Sequence, residues 1–356
     1  MIRFVINSTT LLGLTLLILR NKSRNTIRNT KKKSPQISTT SSHNISLPKL
    51  RKKRGRRRKL RFDLSFDGSC YSGWQYHPDT KRPSVYTVVA AAWQLVTNEQ
   101  FGPVAAARLD TGVSADHQIC SVRTQKEWTE IELESLLLAF NTRLPSNIQC
   151  FRILNVNIKF HAINAPQWKR YGYAVQSVMP NSSYSCQNKE GFESSSQRRC
   201  WYRQGGIIDE ELVRNVCLLF QGTHDFRHFT SKSGPWEEDY AETEKEKQTK
   251  DSKERDRLPS AVRTIYKTKV TRGNDGTLLI QMTGNGFMKH MVRRCVGVAL
   301  AVGSGMLSLD AVQVALKRNV QEWEQMHRSF DFPLRHWLAP TVGLTLEKIY
   351  VKGDDF

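Results

Sequence analysis

Between Ala107 and Ala115 the chain reads A-R-L-D-T-G-V-S-A. An Arg–x–Asp triplet closes an apolar run and a glycine turn follows, so the sequence predicts a carboxylate, Asp110, at the rigid end of a strand, with Arg108 on the same face. A carboxylate kept ionised by a fixed cation can act as a nucleophile or take a proton. The plainer reading is that Asp beside Gly is common turn chemistry and that Arg108 simply pairs with it. Other chemistry-bearing residues have plain readings too. Tyr171 alternates with Tyr173 and Val175, as half-buried sheet residues do. Arg293 lies in an apolar helical stretch beside Arg294, where a helical Arg is usually at the surface or snorkels. No metal-ligand spacing joins His161 and His290, and Asp67 reads as a strand-end turn former. The seven cysteines are scattered without a C-x-x-C pair and read as reduced, structural thiols. There is no P-loop, no G-x-G-x-x-G and no clustered Cys/His site, which argues against a nucleotide-dependent or zinc enzyme.

The elements that must carry these residues follow from periodicity. Arg61 to Phe66 alternates as a strand, Val85 to Thr97 is helical, and Val104 to Asp110 and Gln118 to Thr124 read as two strands. Glu130 to Asn141 is a helix by its leucine spacing, and Cys150 to Phe160 alternates again. That order is strand–helix–strand–strand–helix–strand, the split-βαβ arrangement. A second such unit follows: strand Trp168 to Val178, helix Asp209 to Phe220, strands Thr264 to Val270 and Thr277 to Thr283, a long helix Phe287 to Val302, and strand Gly343 to Val351. The fold class expected is α+β, two ferredoxin-like units forming one extended, mainly antiparallel sheet with helices on one face and a central cleft. Residues 1–60 form a separate segment, 61–165 the first subdomain with Asp110, and 166–356 the second. The Ser-rich stretch near 181–199 and the charged stretch near 237–257 read as surface insertions.

Seven segments, taken in order, resemble the signature motifs of tRNA pseudouridine synthases of the TruA type. Phe66–Gln75 (F-D-G-S-C-Y-S-G-W-Q) is similar to Y-D-G-x-x-Y-x-G-W-Q, and Ala107–Ala115 to G-R-T-D-A-G-V-H-A. Phe160-His161-Ala162 is similar to F-H-A-R, Lys169–Tyr173 to R-R-Y-R-Y, and Gly222–Phe226 to G-x-H-D-F. Asn285–Arg293 is similar to N-A-F-x-x-H-M-V-R, and Ala339–Leu344 to A-P-x-x-G-L. The likeness runs from about Arg61 to Val351. Ala107, Leu109, Thr111 and Ser114 depart from the signature around Asp110, and Ile163 replaces the Arg of F-H-A-R; none of these changes removes the carboxylate.

The resemblance implies an isomerase that detaches uracil from C1′, turns it over while trapped, and rejoins it through C5, with no metal and no cofactor. It implies Asp110, Tyr171 and Arg293 as the catalytic residues. Asp110 assists glycosidic cleavage, Arg293 is the cation that keeps it ionised, and Tyr171 stacks on the base and is placed to take the C5 proton. Arg108, Tyr171, His161, Asp67 and His290 are the substrate-binding candidates, the two histidines being read as structural or RNA-contacting groups rather than acid/base catalysts. The implied partners are tRNA and a second copy of the chain in a homodimer. The rival reading is a non-catalytic RNA-binding protein of the same fold, against which stands a carboxylate that would face an anionic ligand.

Composition adds the tail. The chain has 356 residues and a formal net charge of +21. Of its 54 basic residues, 18 precede Asp63, the first acidic one, and the remainder of the chain carries 36 basic against 33 acidic residues. The excess charge therefore belongs mainly to residues 1–60, which are Ser/Thr/Asn-rich with an apolar run from Thr10 to Leu19 and the cluster R-K-K-R-G-R-R-R-K at Arg51–Lys59. The apolar run is short for a membrane span, which needs roughly 20 residues. The composition suits an organellar transit segment, with a nuclear signal or an RNA-holding arm as the other readings of the cluster.

Overall fold

The computed structural model describes residues 58–354 apart from 77, 79, 100–101, 179–199, 205, 232–260 and 317–336. Both expected insertions, and the tail up to residue 57, lie outside the described residues. Ten strands form one sheet: β1 (Arg58–Phe66), β2 (Val104–Ala105), β3 (Ser114–Thr124), β4 (Ile148–Val156), β5 (Pro166–Val178), β6 (Trp201–Gln204), β7 (Gly222–Asp225), β8 (Val262–Arg272), β9 (Leu278–Gly284) and β10 (Leu344–Val351). The main path runs β4-β1-β3-β10-β5-β9-β8-β7, with β2 on the edge of β3 and β6 on the edge of β5. Each half is a split-βαβ unit, β4-β1-β3 with β2 and β10-β5-β9-β8, as the periodicity predicts. Five helices accompany them among the described residues: α1 (Val85–Thr97), α2 (Glu130–Asn141), α3 (Glu210–Leu219), α4 (Met291–Gly303) and α5 (Leu309–Leu316).

The halves meet where β10 runs parallel to β3 through Thr345↔Ser114 and Leu346↔Ala115; the other main-path pairings are antiparallel. At the far end of the same β3 edge, β2 pairs through only Val104↔Ser121 and Ala105↔Cys120. The chain between Ala106 and Val113 is thus displaced from the sheet at the seam between the two units.

Local chemistry explains the helix ends. Ser84 caps α1 by accepting from Thr87 N at 3.1 Å, and Asn98 ends it in the left-handed region. Thr129 and Glu132 form a reciprocal capping box at the start of α2. Phe62 of β1 holds both helices to the sheet, with ring centroids 5.3 Å from Trp93 and 5.7 Å from Phe140. In the second unit every residue of α4 except Arg293 is buried. The opposite sheet face carries charge instead. Asp63 is fully buried there and receives Arg61 and Arg152, while Arg61 also binds Asp354 at 2.6 Å.

Candidate active site

Asp110 does not stand on a strand, contrary to the sequence reading. β2 stops at Ala105, and from there the side chain of Gln118 takes over the ladder, accepting from Ala107 N at 3.2 Å and donating to Ala107 O at 2.7 Å. A side chain that imitates a strand leaves no signal in hydrophobic periodicity. Leu109 points into the core and Arg108 outward to solvent. Val113 N then donates to Asp110 O at 3.2 Å, closing a turn in which Gly112 takes φ 80°.

The segment after β1 clamps this turn from below. Trp74 N donates to Leu109 O at 3.0 Å, Thr111 Oγ1 to Ser72 O at 3.1 Å, and Gly68 N to Ser114 Oγ at 3.0 Å. A Cβ on Gly73, which has φ 97°, would lie 2.6 Å from Leu109 O, and one on Gly68 would lie 2.0 Å from Val113 O. Backbone passes backbone too closely at both points for any side chain. Asp67 accepts from Ser69 N at 3.0 Å, capping the short 3-10 turn that contains Gly68, so its visible role is the turn-forming one.

The second unit supplies the residues that face the carboxylate. Arg293 lies in the first turn of α4, with Nη1 3.4 Å from Asp110 Oδ2 and Nε donating to Ala339 O at 2.7 Å. One edge of the guanidinium is therefore fixed by backbone while the other meets the carboxylate. Ala339 N returns a bond to Arg293 O at 3.2 Å, and Pro340 O accepts from Tyr173 at 2.9 Å, which gives the Ala339–Pro340 motif a positioning task. The positive end of α4 also favours an anion here. His290, the residue before the helix, brings Nε2 to 3.3 Å from the same Oδ2.

Tyr171 is buried on β5 and meets Phe287 edge to face, with centroids 5.2 Å apart. Burial pushes its phenol pKa up, and the charge of Asp110 pushes it further, so the hydroxyl is protonated at neutral pH. The structure therefore unites Asp110, Arg293, Tyr171 and His290. Arg108 and His161 are both exposed, and the ion-pair partners of Asp110 among the described residues are His290 and Arg293 instead. Sequence reasoning missed Lys169, whose Nζ donates to Ala106 O at 2.6 Å and whose pKa burial lowers to about 8. Its position two residues before Tyr171 on one strand face was the available signal.

A family model described as "tRNA pseudouridine synthase" matches residues 216–337, the stretch that carries His290 and Arg293. Two relatives, each called tRNA pseudouridine synthase A, align more widely. One from Moorella thermoacetica is 28% identical over 82% of this chain and 98% of its own length. One from a Thermoanaerobacter species is 29% identical over 82% and 99%. By these matches the chain is similar to tRNA pseudouridine synthases. A stretch spanning 82% of this chain cannot avoid Asp110 or Tyr171, so the family likeness extends over both units. A solved structure titled as a Cbf5-Nop10-Gar1 complex aligns with a TM-score of 0.26 at 10% identity, over 67% of this chain and 54% of that one, a likeness that carries no argument. Among the described residues no helix is long and apolar enough to cross a membrane.

Proposed function

We propose that this chain is a tRNA pseudouridine synthase in which Asp110 is the carboxylate that assists breakage of the C1′–N1 bond of a uridine, before C1′ is joined to C5. The observation that carries this reading is the contact of Asp110 Oδ2 with both Arg293 and His290 of the second unit, at a turn clamped by the segment after β1. Arg293 and the positive end of α4 present positive charge to the Asp110 carboxylate, the group placed to act at C1′ or on a sugar proton. Tyr171 offers a flat ring beside it and a phenol able to exchange a proton at C5. Arg108, exposed next to Asp110, is suited to a phosphate, and His161 and Asp67 remain candidates for contacts further along the RNA. No step here calls for a metal or cofactor. A second copy of the chain in a homodimer would lengthen the RNA surface, and light scattering of the active enzyme tests it; a strictly monomeric active species removes that part alone.

The decisive variant is Asp110→Asn, which keeps size and most hydrogen bonding but removes the charge. RNA binding survives while product formation in a tRNA transcript falls below detection. Wild-type turnover by Asp110→Asn, with no other protein present, would refute the assignment.

A further inference from the structure

Two residues other than glycine have positive φ among those described, Asn98 and His290. Asn98 closes a helix, where an asparagine is ordinary. His290 opens one, at φ 63° and ψ 0°, and its side chain does not cap α4. A left-handed residue with a Cβ is strained and persists only where neighbours over-determine it. They do so here. Lys289 O accepts from Thr230 Oγ1 at 3.0 Å and Ser231 N at 3.3 Å, Met291 N donates to Met288 O at 3.1 Å, and Arg294 N donates to His290 O at 3.0 Å. The imidazole is thereby turned away from the helix it precedes and onto Asp110.

We propose that His290 is a positioning residue for the carboxylate: as a neutral imidazole it donates Nε2–H to Asp110 Oδ2, so that with Arg293 it fixes this oxygen and leaves Oδ1 to the substrate. The inference rests on Asp110 being the catalytic carboxylate. Both contacts, at 3.3 Å and 3.4 Å, fall on the one oxygen. The charged groups around the ring are Asp110 on the loop between β2 and β3, and Lys289, Arg293 and Arg294 on its own element; Tyr171 of β5 stands near Asp110 on the other side. Burial holds the imidazole below its ordinary 6.5; Asp110 opposes that shift and the three cations reinforce it. A neutral ring has one N–H, and a carboxylate oxygen beside Nε2 selects the tautomer that places it there. Protonating the ring adds a second cation against that carboxylate and lowers its reactivity. Turnover therefore declines in acid as His290 charges.

The test is single-turnover conversion of a uridine-containing tRNA transcript by the full chain from about pH 5 to pH 8, with RNA affinity measured in parallel. Glycine accepts the left-handed backbone and removes the donor, so His290→Gly loses roughly ten- to hundred-fold in rate at unchanged affinity. His290→Gln restores an N–H at similar reach and does not titrate, so it recovers most of that loss near neutral pH and shows no acid decline at the wild-type position. Weakened affinity with an unchanged rate would make His290 a substrate contact and overturn the proposal. A wild-type acid limb in His290→Gln would overturn it as well. Asp110→Asn in the same assay separates the two readings: if it is inactive while both His290 variants match wild type, only the positioning role fails.

Discussion

Arg293 illustrates how much of the site depends on one side chain being held twice. Its Nε is bound to Ala339 O at 2.7 Å, and this leaves Nη1 for Asp110 at 3.4 Å. A lysine carries its three donors on a single nitrogen at the end of a flexible stem and cannot span both acceptors as the fixed fork does. Arg293→Lys is therefore expected to slow conversion by roughly ten- to hundred-fold, the usual worth of a hydrogen bond to a charged group, with little change in tRNA affinity. A loss of affinity with rate preserved would move Arg293 from the reacting centre to the RNA surface. Asp110, Tyr171 and Arg293 were legible because their motifs are local. His290 was legible as a residue, but its contact with Asp110 depends on a left-handed backbone that spacing does not announce. Arg108 was expected to share a strand face with Asp110, but this segment is not a strand and sends Arg108 to solvent.

At the scale of elements, long periodic segments were read to within a residue or two, as for α1, α2 and β5. Short ones were not: β6, β7 and α5 have four, four and eight residues, too few to show a period. The helix expected from Phe287 begins at Met291, because Asn285 first extends the sheet by pairing with Thr264 at 3.0 Å and 3.1 Å. The family's fourth motif residue in R-R-Y-R-Y is Gly172 here, and a Cβ there would sit 2.0 Å from Glu347 Oε1. That buried carboxylate is held by Arg170 at 3.1 Å and Gln281 at 2.6 Å, a cross-strand arrangement invisible in either segment alone. The charged face of β1 gives a prediction. Burial would raise the pKa of Asp63, but the His117 ring beside it, hydrogen bonds from Arg61 and Arg152 and the charge of Arg61 outweigh it and bring it down to about 2 from 3.8. A depressed carboxylate contributes stability that is complete above its unfolded pKa and is lost as pH falls through the folded one. About 2 kcal/mol should thus disappear between about pH 4 and pH 2. Thermal melts across that window check it: Asp63→Asn should be less stable near neutral pH and lack this segment of acid dependence.

At the scale of the whole molecule, the sheet seam and the tail matter most. Two β3–β10 pairs bring the loop of one unit against the helix of the other, and only this long-range register makes a site from Asp110 and Arg293. The sequence supports each unit but carries no sign of the seam. The basic cluster was placed wholly in the separate segment 1–60, yet its last two residues belong to β1, where Arg58 pairs with Glu127 and Lys59 donates to Phe160 O. A truncation that spares the fold therefore removes residues 1–57 and takes Arg51, Lys52, Lys53, Arg54, Arg56 and Arg57 with it. From Asp63 onward the chain is nearly balanced in charge, so these residues are a main reserve of phosphate contacts if the tail meets RNA. Each such contact releases counterions and adds roughly 0.7–0.9 to the slope of log affinity against log salt. Such contacts position RNA without reading it. The truncated chain should accordingly bind tRNA more weakly at low salt, converge with the full chain at high salt, and show a slope flattened by up to roughly 5. Equal affinity and equal slope for the two chains would assign the cluster to targeting alone, leaving RNA recognition to the two folded units.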